Sequence, residues 1–153
     1  MNRDRRLRDL SDDHHQALVL ARRATRAAAG DGTAAPRVWN EVVHRFHGEL
    51  APHFAIEERL LLPAVEQHGG ADLAARTRNE HAELRRLVVE DRQDVSTRLH
   101  RFGALLRDHV RFEERVLFGF IQERVGDAAL DLVADACEDR RPAATSICRT
   151  TQS

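Results

Sequence analysis

Two stretches of this 153-residue chain carry the same potential chemistry. His53-Phe-Ala-Ile-Glu57-Glu58-Arg59-Leu-Leu61 aligns with His109-Val-Arg-Phe-Glu113-Glu114-Arg115-Val-Leu117, identical at five of nine positions. The match continues upstream at the same offset of 56, with Phe46 over Phe102 and Leu50 over Leu106. A lone His-x-x-x-Glu is often no more than an ion pair on a helix surface. Two copies inside one repeat are a far stronger signal. Residues i and i+4 share a helical face, so His53 projects with Glu57 and His109 with Glu113. Those faces also carry Phe46, Leu50 and Leu61 in one copy and Phe102, Leu106, Leu117 and Phe120 in the other, so the pairs point into a core. Buried carboxylates need partners or a metal. Glu58 and Glu114, turned by about 100°, are expected to face solvent or pair with arginines.

Other helices facing this site should contribute further donors. His81 shares a stripe with Leu73, Thr77, Leu84 and Val88. Near the N-terminus His14 and His15 compete. His14 has Ala17, Leu20, Ala21 and Ala24 at helical spacing, closer to the pattern after His81, and is preferred; His15 stays open as the alternative. The ordered set is His14, His53, Glu57, His81, His109 and Glu113, two half-sites of one His plus one His/Glu pair with approximate two-fold symmetry. Four imidazoles and two carboxylates suit two iron ions with bridging carboxylates, with manganese or zinc as substitutes. One tetrahedral zinc would use only four of the six donors. His44, His47, His68 and His100 lie outside the inward-facing set and read as surface histidines, His47 being the one with some claim to support a ligand.

The elements that must hold these residues are helices. Ala, Arg, Leu and Glu dominate, and strict apolar alternation is absent. A first helix is expected from an N-cap at Ser11 to about Ala29, and a second from Pro36 to about Gly69. A third spans about Asp72 to Glu90, and a fourth runs from after Asp94 to about Val125. A short fifth helix from Asp127 to about Cys137 follows. Pro52 should disturb the second helix where its ring meets the Gly48 carbonyl. The expected fold is all-α, an up-down-up-down antiparallel four-helix bundle with a short extra C-terminal helix. Residues 1–138 form one domain in this reading and 139–153 a flexible tail.

Composition narrows the function classes. The formal net charge is −1 with 32% charged residues, which argues against electrostatic binding to nucleic acid. All 24 basic residues are arginine, and tyrosine is absent, which excludes phenol chemistry. Cys137 and Cys148 cannot make a disulfide framework or a four-thiolate metal site, so a reducing compartment is the simpler expectation. The basic start lacks an apolar run of the kind a secretion signal needs, and no segment is long enough to span a membrane. A cytoplasmic protein without membrane or nucleic-acid partners is expected, as a monomer or homodimer.

Taken with Leu10-Ser-Asp-Asp-His14-His15, Pro52-His53-Phe-Ala-Ile-Glu57-Glu58, Glu80-His81 and His109-Val-Arg-Phe-Glu113-Glu114, the chain resembles the hemerythrin-like (HHE cation-binding) family over about residues 8 to 137. The resemblance implies a four-helix bundle around a non-haem di-iron centre bridged by two carboxylates. It also implies binding or sensing of oxygen or nitric oxide, iron homeostasis, or repair of iron centres. Oxygen-carrying hemerythrins have a His-x-x-x-His pair on the third helix, and here Thr77 stands four residues before His81. The remaining four-His, two-Glu set resembles that of bacterial iron-centre repair proteins and short bacterial hemerythrin-like proteins. The expected activity is therefore reaction with or sensing of O2, NO or peroxide, or a role in iron homeostasis. The alternatives are a di-iron oxidoreductase of peroxidase or ferroxidase type and a metal-stabilised interaction module.

Overall fold

A computed structural model describes residues 2–140. Residues 141–153, including Cys148 and most of the expected tail, lie outside the described residues. Among the described residues there is no strand. Helix α1 is Arg8–Ala29, α2 covers residues 35–67, α3 is Ala71–Val89, α4 covers residues 95–124 and α5 is Asp127–Arg140. The links between the first four are short, so consecutive helices run antiparallel. Helix α1 packs on α2 and most extensively on α4, and α3 packs on α2 and α4, closing a four-helix ring. Among the described residues no helix is long and apolar enough to cross a membrane.

Local chemistry explains most boundaries. Asp94 caps α4, its side chain accepting from the Thr97 N–H at 2.9 Å. Gly69, at φ +89°, takes the left-handed position after α2, and Gly70 N–H closes back on the Val65 carbonyl at 2.8 Å. The start of α1 differs from expectation. Asp4, rather than Ser11, acts as a cap, accepting from Arg6 N–H to start a 3-10 turn over Arg5–Leu7 that runs into α1. Leu7 and Leu10 are fully buried, so the gain from burying them extends the helix back past Ser11. Helix α5 runs three residues past Cys137, burying Leu130, Val133 and Cys137.

The helices bearing the repeat are not uniform. Three π-helical turns interrupt them, at Phe46–Leu50, Glu57–Leu61 and Glu113–Leu117, each closed by an N–H donating to a carbonyl five residues back. The first lies where Pro52 was expected to disturb α2, and it absorbs that disturbance without a break. The other two begin at Glu57 and Glu113. In an unbroken α-helix Leu61 and Leu117 would lie roughly 80° around the axis from His53 and His109, eight residues earlier. The extra residue in each π turn rotates them back by roughly 100°, and both leucines are fully buried.

The apolar interior is split in two. One cluster gathers Leu20, Trp39, Phe46, Leu84, Phe102 and Leu106, and the other Leu10, Leu61, Leu117, Phe118, Ile121 and Val133. On the first four helices the expected polar residues fall where one cluster gives way to the other: His14 follows Leu10, and His109 and Glu113 lie between Leu106 and Leu117. The bundle thus carries a polar layer between two dry cores.

Candidate metal centre

Each of the first four helices sends donors into that layer. Among the described residues, the buried polar or charged ones are His14, His53, Glu57, Thr77, His81, His109 and Glu113, six of which are the expected set. Of the two neighbours at the N-terminus, His14 is 3% exposed and turned inward, while His15 lies on the outer face. His44, His47, His68 and His100 are exposed. His47 rests against the Phe46 ring at 5.5 Å. Thr77 turns its hydroxyl to the Leu73 carbonyl at 2.8 Å, so it caps its own helix turn and offers nothing to the cluster.

The six donors form two overlapping groups, His14, His53, Glu57 and Glu113, and Glu57, His81, His109 and Glu113, with donor atoms within 4.8 Å of one another in each. The carboxylates are divided between the groups oxygen by oxygen. Glu57 Oε1 lies 2.9 Å from His53 Nε2 and 3.8 Å from His14 Nε2, while its Oε2 lies 3.2 Å from His81 Nε2. Glu113 Oε2 lies 2.7 Å from His14 Nε2, while its Oε1 is 2.8 Å from His109 Nε2 and 3.5 Å from His81 Nε2. His14 and His53 bring their Nε2 atoms to 3.1 Å of each other. Two donors bound at right angles to one ion at about 2.1 Å would stand about 3 Å apart.

The fit to a metal pair rests on unsatisfied atoms. All four carboxylate oxygens of Glu57 and Glu113, and Nε2 of His81 and His109, are buried without a well-aligned hydrogen bond, although Nε2 and carboxylate oxygens stand as close as 2.7 Å. Leaving that many polar atoms unmet in a closed core is costly, and cations between them would satisfy all of them together. The set contains only imidazole and carboxylate, a donor mix suited to first-row divalent ions.

Behind the imidazoles stands a second ring of acids that the sequence reading did not identify as such. His14 Nδ1 meets Glu114 Oε1 at 2.7 Å, His53 Nδ1 meets Asp13 Oδ2 at 2.9 Å, His81 Nδ1 meets Glu58 Oε1 at 3.3 Å and His109 Nδ1 meets Glu80 Oε1 at 3.0 Å. A carboxylate only accepts, so Nδ1 carries the hydrogen and Nε2 is aimed inward. Glu58 and Glu114 do pair with arginines, as expected, but they also orient His81 and His14. Their signal was present in the repeat, where both acids are duplicated beside the inward glutamates.

Aromatic rings brace the imidazoles. Phe54 stacks on His81 at 3.9 Å between centroids, and Phe118 stacks on His14 at 5.2 Å. The charge state of the metal-free layer follows from its acids. Burial pushes the His14 imidazole down, but Glu113 and Glu114 outweigh it and raise it to about 10. The same contest, won by Glu113, Glu57 and Glu58, raises His81 to about 11, and Glu113 with Glu80 raises His109 to about 9. His53 is also raised, burial being overcome by Glu57 and Asp13. Glu113 is held well below the usual carboxylate range despite its burial, because His109, His14 and His81 surround it. A metal entering this layer must displace protons from imidazole Nε2 atoms.

No curated protein and no solved structure gives a significant match to the chain. The family comparison does, with the hemerythrin HHE cation binding domain matching residues 5–121 and so spanning all six inward donors and the four acids behind them. With a buried His/Glu cluster of metal-binding type inside an all-helical bundle, the chain belongs to the hemerythrin HHE cation-binding domain family.

Proposed function

We propose that the chain is a non-haem di-iron protein that binds, senses or reacts with O2, NO or peroxide, or serves iron homeostasis. His14 and His53 would hold one iron, His81 and His109 the other, and Glu57 and Glu113 would bridge them. The observation that carries this reading is the partition of each glutamate, one oxygen toward each histidine pair, with all four oxygens buried and facing only imidazole Nε2 atoms. A single ion in either group would leave two of the six residues, and one oxygen of each glutamate, unused.

Bound ferrous ions would supply electrons and coordination positions for a small diatomic ligand or peroxide. Each histidine pair with its two carboxylate oxygens provides four protein donors, fewer than the six that iron commonly takes. The chain's own residues set the conditions. The Nδ1–H bonds to Glu114, Asp13, Glu58 and Glu80 hold the imidazoles in one tautomer and increase their donor strength. Phe54 and Phe118 exclude water from the faces of His81 and His14. The two inward carboxylates offset part of the charge of two divalent cations, while neutral imidazoles add none.

The test is anaerobic reconstitution with ferrous iron followed by exposure to air. Two irons retained per chain, with a visible absorption change on exposure, are expected. Folded protein that retains no iron would refute the reading.

A further inference from the structure

The two halves of the centre are anchored to different parts of the chain. Behind His81 and His109, the acids Glu58 and Glu80 are held by Arg85 at 2.6 Å and Arg76 at 3.4 Å, both from α3. Behind His14 and His53, the arginines come from the ends of the described chain. Arg3 Nη2 reaches Glu114 Oε2 at 2.7 Å and the Glu114 carbonyl at 2.8 Å. Arg140 Nη1, in the last residue of α5, reaches Asp13 Oδ2 at 2.7 Å, the same oxygen that accepts from His53 Nδ1. The correspondence extends to the aromatic braces. Arg3 lies over Phe118 at 5.0 Å as Arg85 lies over Phe54 at 5.8 Å. Yet Arg3 and Arg140 both fall outside residues 5–121, the stretch shared with the family.

The two ends are also tied to each other. Arg6 pairs with Asp127 and Asp131 of α5, each at 2.9 Å, and Leu7 shares an apolar cluster with Leu130 and Val133. Asp13 and Glu114 keep 30% and 28% of their side chains exposed, and although Ser11 Oγ also donates to Glu114 Oε1 at 2.7 Å, loss of the arginines would free both acids to turn toward water and loosen the imidazole N–H they fix.

We infer that the N-terminal segment and α5 form one clasp that holds the His14/His53 metal position selectively, with Arg3 and Arg140 as positioning residues acting through Glu114 and Asp13. The inference rests on the two-metal reading above. It makes the two positions inequivalent: the His81/His109 position is built within the bundle, and the other depends on the clasp.

Titration of the full chain with Co2+, which resists air oxidation and shifts the proton resonances of bound imidazoles, tests this. In the Arg3→Ala/Arg140→Ala variant one Co2+ is expected to bind as in the parent chain and the other about tenfold more weakly or worse. The shifted exchangeable N–H resonances of His14 and His53 should broaden, while those of His81 and His109 persist. Arg3→Lys with Arg140→Lys should restore much of the loss. Arg76→Ala/Arg85→Ala should reverse the pattern. Arg140→Gln alone, which leaves the Arg3 pair intact, provides the same reading at His53 should the double variant fold poorly. Weakening of both positions together, or no change at either, would overturn the inference while leaving the two-metal reading standing. A parent chain that binds fewer than two Co2+ would overturn both.

Discussion

Asp13 Oδ2 accepts from His53 Nδ1 at 2.9 Å across the α1/α2 interface, although Asp13 is the chain neighbour of His14. His14 turns the other way, to Glu114 on α4. The same exchange recurs at His81, served by Glu58 of α2, and at His109, served by Glu80 of α3. Each helix thus lends its acid to a histidine of a neighbour, and the four bonds close a ring around the bundle. The ring orients the donors and ties together all four helix interfaces at the level of the site.

Removing one link should weaken metal binding without removing a ligand. Asp13→Asn keeps the side-chain shape but loses the charge that fixes the His53 tautomer. Metal affinity is expected to fall about 10- to 100-fold, measured by chelator competition. Glu80→Gln should have the corresponding effect at His109. Unchanged affinity in both would show that the acids only satisfy the ring nitrogens.

The inward glutamates should govern stoichiometry. Glu57→Gln/Glu113→Gln retains side-chain volume and removes both bridging charges. Retained metal is expected to drop from two ions per chain to fewer than one, with helical circular dichroism preserved. Elemental analysis of dialysed protein reads the result directly.

Metal-free protein should lose stability in alkali. The imidazoles of His14, His81 and His109 titrate at about 10, 11 and 9 in the folded chain, above the ordinary value of 6.5. A raised imidazole stabilises the fold fully below pH 6.5, and its contribution disappears as pH rises through the folded value. Between pH 7 and pH 11 the melting temperature of chelator-treated protein should therefore fall. Metal-loaded protein, whose Nε2 atoms carry no proton, should change much less over that range. A metal-free melting temperature that rises with pH would contradict the assignment.

Two glycines of α4 should respond in opposite directions. A Cβ on Gly103 would stand 2.7 Å from the Ala21 carbonyl oxygen and 2.7 Å from Thr25 Cγ2, so α1 and α4 can cross this closely only with glycine there. Gly103→Val should cost about 1–3 kcal/mol, lowering the melting temperature by about 2–4 °C per kcal/mol. Gly119 has nothing within 4 Å of its Cβ position, and Gly119→Ala should stabilise by about 0.5–1 kcal/mol. Thermal melts of both variants decide the matter.

Helical periodicity and the repeat were enough, in the sequence, to indicate an all-helical bundle and to select the six side chains that meet at its centre. The reason is local: apolar neighbours at 3.6-residue spacing mark which face of a helix is buried, and this favoured His14 over His15. The start of α4 after Asp94 was placed from the sequence, whereas Ser11 was not a cap because burial of Leu7 and Leu10 outweighed its capping preference. The π turns show where local reading is incomplete. Leu61 and Leu117 were placed on the faces of His53 and His109, yet a regular α-helix would set them roughly 80° away, and only the ladder shift at Glu57 and Glu113 brings them back. Only the tertiary structure decided which acid serves which histidine and which arginine holds each acid. Those partners lie on different helices, up to 127 residues apart for Asp13 and Arg140, and their meeting depends on how whole helices pack rather than on any pattern within one of them.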